Sequence, residues 1–345
     1  MPALTPQNLV TLETRMSVVS ENEYNRLSQG VWWPTVSKVR QTGAGKEILS
    51  WLLSTAKIHD LGKGGNLIFE DLVSQTTEIE PKFAGDGLKL SRAQFEDTDG
   101  GGLNLAAAWS GQIGAQMAYW PQELASTLLM NGENVALVKA YDKKAFFAID
   151  HPVNPYRPSG PKFANLFTGV ASAGYPGKLP IDESVTVDVA LANLQKLVAY
   201  VASIKMPNGT QPRRLRLKYL LVPPALMFRA VQLTQAKFIA QAATGGVAVG
   251  DVEALIAALG FAMPVQADEL AGFDSDKSYF AVCEQITDTE VGGLIYVDRE
   301  PFKINYYGPQ TEAVLNRADD LEWHCKGRNA MAAGHPYLIF KAKGV

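Results

Sequence analysis

The sequence predicts an α+β fold, and three observations carry that prediction. A single stripe of apolar residues indicates one long helix over residues 103–131. Residues 180–285 alternate in the order helix, strand, helix, which is typical of a compact mixed lobe. From Phe280 to the C-terminus, short apolar runs separated by turns indicate strands. The 345 residues are enough for two ordinary domains, or for one domain with extended appendages.

The composition is that of a globular protein with a substantial core. Hydrophobic residues make up 47% of the chain and charged residues 19%. The formal net charge is −3, and no basic tail is present, so strong autonomous binding to DNA is not expected. The N-terminus lacks a basic and an apolar signal region, and no apolar run approaches the ~20 residues of a membrane helix. Cys283 and Cys325 are far apart, which predicts two reduced thiols in an intracellular protein.

Residues 1–47 are predicted to form an arm. Pro6 marks the first turn of a helix that we expect to run through about Met16. Trp32 and Trp33 follow in an otherwise polar stretch. Because each aromatic side chain buries a large area, the pair either anchors the arm on a neighbouring molecule or folds back on its own subunit. The sequence favours neither alternative.

Residues 48–95 are predicted to form a long two-stranded excursion. Glycines interrupt the segment, and its strand candidates are the apolar runs Ile48–Leu53, Leu67–Phe69 and Leu88–Leu90. A hairpin alone is marginally stable in water, so we expect this one to lie on another chain. The candidates for contact with that chain are Lys63, Phe69 and Phe83.

The predicted helix of residues 103–131 spans about 40 Å at 1.5 Å per residue. Small residues on it allow other backbones to approach closely, and Asn131 with Gly132 supplies its C-terminal stop. Pro121 interrupts the pattern. Because proline lacks an N–H group, we expect a kink or a restart of the helix there.

The second half of the chain is predicted to contain further helices and strands. A helix stripe starts near Val185, Pro224 begins a helix through about Gln241, and Asp251–Leu259 reads as a short helix between glycines. The predicted strands are Ala145–Ile149, Leu217–Val222, Phe280–Val282, Gly293–Val297, Phe302–Tyr306, Leu321–Cys325, Ala330–Ala333 and Tyr337–Phe340.

The sequence predicts no catalytic, cofactor or metal site. The run Thr42–Lys46 resembles a phosphate-binding loop, but Glu47 follows the lysine in place of serine or threonine. No pair of histidines has the spacing of a zinc site. The histidines are His59, His151, His324 and His335.

The strongest basic cluster contains Arg213, Arg214, Arg216 and Lys218. The last three would share one face of a strand. That face either contacts a phosphate or an acidic neighbour, or it is a solvated edge that discourages aggregation. The acidic balance of the chain favours the solvated edge.

Several motifs occur in an order that resembles one known family, the Mu-like major head (capsid) subunits of tailed phages. These motifs are LKLSRAQFED, PQELASTLLMNG, FFAIDHPVNP, LRLKYLLVPPALMFRA, GGLIYVDREPF and EWHCKGRNAMAAGHPYLIF. The resemblance runs from about Ile48 to the C-terminus. The first 45 residues match weakly, and residues 242–262 depart from the family pattern.

The resemblance implies the tailed-phage major capsid fold. In this chain, residues 1–47 would be the N-terminal arm and residues 48–95 the extended loop (E-loop). Residues 96–179 would begin the peripheral domain, with a spine helix at 103–131. Residues 180–285 would form the axial domain, and residues 286–345 the strands that close the peripheral domain.

The resemblance also implies a non-enzymatic shell subunit without a cofactor. Such a subunit would form hexamers and pentamers, enclose DNA without reading its sequence, and avoid membranes. Its expected partners are a portal, a scaffold or protease, and decoration proteins. It would assemble in the host cytoplasm and end in the virion. Two alternatives are an encapsulin-like nanocompartment shell of the same fold and a soluble α/β enzyme with an unrecognised site.

Overall fold

The computed structural model describes residues 6–52, 74–91, 101–172, 174–209, 211–235, 238–243, 246–251, 263–286, 292–307 and 321–344. Within these residues, two larger β-sheets share a core with one long helix. The helices are α1 (Pro6–Ser28), α2 (Trp33–Val36), α3 (Gly101–Met130), α4 (Val187–Ser203) and α5 (Pro224–Gln235). No described helix is both long and apolar enough to cross a membrane.

The strands are numbered in chain order. They are β1 (Ser37–Gln41), β2 (Glu47–Leu52), β3 (Ser74–Ile79), β4 (Lys82–Leu90), β5 (His151–Pro152), β6 (Lys162–Phe163), β7 (Leu166–Phe167), β8 (Leu215–Val222), β9 (Phe238–Ala243), β10 (Gly246–Asp251), β11 (Met263–Gln266), β12 (Tyr279–Gln285), β13 (Leu294–Tyr307), β14 (Leu321–Ala333) and β15 (Ile339–Ala342).

Helix α3 is the central element, and α1 packs directly on it. A Cβ atom at Gly114 would lie 2.3 Å from the carbonyl oxygen of Ser20, so only glycine allows this approach. Met16 and Ser20 of α1 are buried. The predicted end of α1 near Met16 is therefore wrong, because packing on α3 carries the helix to Ser28.

Helix α3 continues through Pro121 as one element, so the predicted restart there is wrong. Proline removes only one backbone hydrogen bond. The residues that follow hold the helix in place, because Ala125 and Leu129 are fully buried in the core that α3 shares with both larger sheets.

The first larger sheet has the strand order β1-β13-β14-β4. Its strands β13 and β14 are long, and each contains two segments that were predicted as separate strands. The register shifts between Asp298 and Glu300 and again between Glu300 and Lys303. Pro301 lacks an N–H group for the ladder, so the strand accommodates it by bulging instead of ending.

The hairpin of β2 and β3 packs on this first sheet. Its base is anchored where Ile79 packs with Ile295 and Val297. Its other end is the pair Leu52 and Ser74, and the predicted strand Leu67–Phe69 lies outside the described residues. The segment Leu88–Leu90 does not extend the hairpin, because β4 pairs with β14.

The second larger sheet has the strand order β11-β8-β12-β15-β7. Helix α4 lies against it through apolar residues such as Leu194 and Leu197, which pack with Phe167, Tyr279 and Phe340. The C-terminal strand β15 thus enters a sheet whose other members lie far from it in sequence.

Three further predictions differ from the structure. Ala145–Ile149 forms bends, with a single β-bridge between Ala145 and Lys139, instead of a strand, although Phe146 and Phe147 are buried as expected. Helix α5 ends at Gln235 and not near Gln241, because β9 pairs with β10 in a hairpin. The backbone N–H and C=O groups of β9 are hydrogen-bonded in that hairpin instead of in a helix. Asp251 ends β10, and the rest of the predicted helix to Leu259 lies outside the described residues.

Candidate functional site

Trp32 folds back on its own subunit and is only 4% exposed. Its indole N–H donates a hydrogen bond to Glu269 Oε2 at 2.8 Å, and its backbone N–H donates to Gln122 Oε1 at 2.8 Å. Gln122 Nε2 donates in turn to Glu269 Oε1 at 2.6 Å. These three bonds connect the N-terminal segment to α3 and to the turn after β11. Trp32 is therefore not available to a neighbouring molecule.

Trp33 is half-buried, and its ring centroid lies 5.2 Å from that of Tyr296. It borders a cleft of about 600 Å³ between α1, α3 and β13. Phe83 on β4 is 71% exposed, with the guanidinium of Arg328 4.9 Å from its ring centroid. The other two candidates, Lys63 and Phe69, lie outside the described residues.

The basic cluster is only partly available for binding. Arg216 and Lys218 are exposed on β8, and Lys218 Nζ lies 2.7 Å from Glu284 Oε2 on β12. The hydrogen bond to Glu284 raises the pKa of Lys218. Arg214 has a φ of 57° and precedes the strand, so it does not continue the predicted face. Arg213 is buried, with its guanidinium 3.8 Å from the Tyr337 ring centroid.

The surroundings of Cys283, Cys325 and the buried His335 favour the neutral forms of these side chains. Burial raises the pKa of Cys283, and burial with the charge of Asp86 raises that of Cys325 to about 11. Burial and the nearby Arg213 lower the pKa of His335 well below its usual value. Among the described residues, no group of three or more acidic, histidine or cysteine side chains could hold a metal ion.

A groove of about 1050 Å³, which no sequence motif indicated, lies between α3 and the β4 edge of the first sheet. Apolar side chains from both elements line it, including Met117, Trp120 and Phe83. Trp120 is fixed there by a hydrogen bond from its Nε1 to Asn329 Oδ1 at 2.7 Å. The carboxylate side chains that line the groove are Glu78, Glu80, Asp86 and Glu123, against a single cation, Lys82.

A second missed feature is a buried ion cluster around Lys341 of β15. Its Nζ lies 2.7 Å from Glu133 Oε1 and 2.7 Å from Asp274 Oδ2. Burial raises the pKa of each carboxyl, but the hydrogen bonds and charges around it act together in the opposite direction, so both pKa values end below their usual range. Lys341 and Lys343 act on both carboxyls, and Ser278 also donates to Asp274. The cluster connects the end of α3 to the five-stranded sheet. No sequence motif indicates this ion cluster, because its three residues are far apart in the chain.

A family model described as the Mu-like prophage major head subunit gpT matches residues 12–176. The match thus includes most of the N-terminal segment, where the resemblance was expected to be weak. No curated protein is similar enough in sequence to count as a match.

Solved phage capsids resemble the fold of this chain. The mature capsid of bacteriophage PhiM1 has a TM-score of 0.52 and 12% identity, covering 91% of this chain and 87% of that one. The procapsid of bacteriophage JBD30 has a TM-score of 0.50 and 14% identity, covering 99% and 77%. The JBD30 capsid chain has a TM-score of 0.47 and 12% identity. The match covers 90% of this chain but only 64% of that one, so this chain spans less than two thirds of its length.

These similarities agree with the architecture described above. A long central helix, a four-stranded sheet with an added hairpin and a five-stranded sheet together form a fold that matches tailed-phage capsid structures. Over residues 12–176 the chain matches the Mu-like prophage major head subunit family, and its fold is that of tailed-phage capsid proteins.

Proposed function

We propose that the chain assembles through hexamers and pentamers into a closed icosahedral head that encloses double-stranded DNA. The observation that supports this most is the capsid fold, which extends over 99% of the chain in the procapsid comparison. The β2–β3 hairpin adds to it. Ile79 and Leu49 pack the hairpin on its own sheet, and its far end at Leu52 and Ser74 would reach a second subunit.

The shell is proposed to enclose DNA without binding a particular sequence. The net charge of −3 and the pairing of Lys218 with Glu284 leave little positive charge to hold phosphates. The role needs no catalysis. A portal, a scaffold or protease, and decoration proteins would complete the head, which would form in the host cytoplasm before release as part of the virion.

Deletion of residues 53–73 tests the proposal while sparing the described fold. Leu52 and Ser74 face each other across the hairpin, so an Asn-Gly turn can join them without disturbing β2 or β3. The deletion must stop there, because a cut to Gly87 would remove most of β4.

The full chain should form shells in negative-stain images, and the deletion variant should remain a folded, unassembled subunit by light scattering and circular dichroism. Shells that form without the loop would contradict its role. A full chain that stays monomeric at every salt and protein concentration would contradict the proposed function itself. Particles filled with a cargo protein instead of DNA would identify a nanocompartment.

A further inference from the structure

The cleft between α1, α3 and β13 combines aromatic rings with carboxylates. Tyr24 of α1, Trp33 of α2 and Tyr296 of β13 line it. The rings of Trp33 and Tyr296 are inclined at 52°, with their centroids 5.2 Å apart. Glu21 of α1 and Asp298 of β13 also line the cleft. Because the face of an aromatic ring carries partial negative charge, rings and carboxylates together attract a cation.

One carboxylate oxygen in the cleft is buried without a hydrogen-bond donor. Among the described residues, no group donates a hydrogen bond to Asp298 Oδ1. Burial raises the pKa of the Asp298 carboxyl, and no hydrogen bond or cation from the described residues offsets that effect. A buried acceptor without a donor costs free energy, which a ligand with a charged N–H group would recover.

The carboxylate and the rings lie close to one another. Burial raises the pKa of the Tyr296 hydroxyl, and the charge of Asp298 and the nearby Tyr24 raise it further. One ligand can therefore contact the rings and the carboxylate at the same time.

We infer that this cleft binds a small organic cation of the alkylammonium class, held between the aromatic rings and Asp298. Its volume of about 600 Å³ is within the range of small-molecule sites. The inference does not rest on the proposed function, because every residue that it uses belongs to one subunit.

The charges in the cleft favour a cation over other ligands. Glu21 and Asp298 oppose a single lysine, Lys303, so the net charge is +1 − 2 = −1, which disfavours an anion. A purely apolar ligand would leave Asp298 Oδ1 without a donor. A metal ion is not matched, because the described residues contain no group of three acidic, histidine or cysteine side chains that could hold one. Lys303 is exposed and does not lower the pKa of Asp298, so it does not take the place of the ligand.

A bound cation would connect the N-terminal helix to the four-stranded sheet. Glu21 and Tyr24 belong to α1, whereas Tyr296 and Asp298 belong to β13. Binding should therefore hold the second half of α1 against the sheet. Hydrogen exchange of the backbone amides in residues 20–28 should slow when the ligand is added.

Calorimetric titration of the full chain in its unassembled form, with putrescine as the probe, tests the site. At constant ionic strength, putrescine should bind with a Kd below about 1 mM. The uncharged 1,4-butanediol has the same carbon chain and should not bind. Asp298→Asn should weaken binding about tenfold, because it removes the charge that pairs with the ammonium group. Tyr24→Leu removes a ring that is 41% exposed, so the fold should be kept, and it should weaken binding about threefold.

Glu80→Gln is the matched control, because it removes a carboxylate from the groove between α3 and β4 and should leave the affinity unchanged. Equal binding of putrescine and 1,4-butanediol, unchanged affinity in both Asp298→Asn and Tyr24→Leu, or a loss in Glu80→Gln instead would overturn the cleft as the site. A lysine of a neighbouring subunit also carries an ammonium group. Amide exchange in residues 20–28 that slows on assembly, but not when putrescine is added to the unassembled chain, would overturn a free amine as the ligand.

Discussion

Replacement of Lys341 by methionine tests how strongly one buried cation connects the end of α3 to the five-stranded sheet. The lysine side chain is 1% exposed, and its Nζ contacts Glu133 and Asp274 at 2.7 Å each. The same atom lies 4.1 Å from the centroid of the Phe273 ring. Methionine retains most of the apolar volume, so the change removes the charge without leaving a large cavity.

The expected cost follows from what the substitution leaves behind. Removing one partner of a buried ion pair costs about 3–5 kcal/mol, because the remaining charge is uncompensated. Glu133 and Asp274 keep side-chain exposures of 32% and 27%, so water compensates part of their charge. We therefore expect a loss near ~3 kcal/mol. Lys343 is the matched control: it is 32% exposed, contacts Glu133 at 2.9 Å, and its change to methionine should cost less than about 1 kcal/mol.

Urea unfolding of the unassembled subunit, followed by tryptophan fluorescence, measures both losses. The transition midpoint should fall far more for Lys341→Met than for Lys343→Met, at an unchanged slope. Adding Glu133→Gln and Asp274→Asn to Lys341→Met should recover part of the loss, because neither carboxylate is then left without its buried cation. Equal losses in the two single variants, or a loss below about 1 kcal/mol for Lys341→Met, would refute the reasoning.

Three further predictions follow from the same structure. Because Glu133 and Asp274 have lowered pKa values in the folded state, the stability they contribute is present at neutral pH and should be lost as the pH falls below about 4.5. When the unfolding midpoint is measured at decreasing pH, its decrease should be smaller in Lys341→Met than in the wild type. Gly114→Ala should destabilise the subunit by about 1–2 kcal/mol by pushing α1 away, whereas Gly111→Ala, whose Cβ would meet only an ordinary contact at 3.8 Å, should stabilise it by about 0.5–1 kcal/mol in the same urea assay. Pro121→Ala should restore a backbone hydrogen bond, raise the thermal midpoint and hinder expansion of the shell; identical helix geometry and expansion in electron cryomicroscopy would show that the proline has no such role.

Local sequence signals predicted the elements that depend mainly on local physics. The apolar stripe from Leu105 to Leu128 and the stop at Asn131 predicted α3 nearly to its ends, because helix periodicity and capping are properties of neighbouring residues. The buried strand β8 was predicted for the same reason. The ordered motifs predicted a resemblance to the Mu-like head subunits, and the family model that matches residues 12–176 and the capsid fold agree with it. The boundaries of the arm, loop and domains remain predictions.

Tertiary structure decided what depends on residues that are distant in the chain. Whether Trp32 faces a neighbour or its own core depended on Glu269, more than two hundred residues away. Strand β13 runs through Pro301 because β14 pairs with it on both sides of the bulge, which outweighs the local turn signal. The Lys341 cluster and the acidic groove exist only because separate segments meet. Charge pairing and close packing act across space, so no window of sequence contains them.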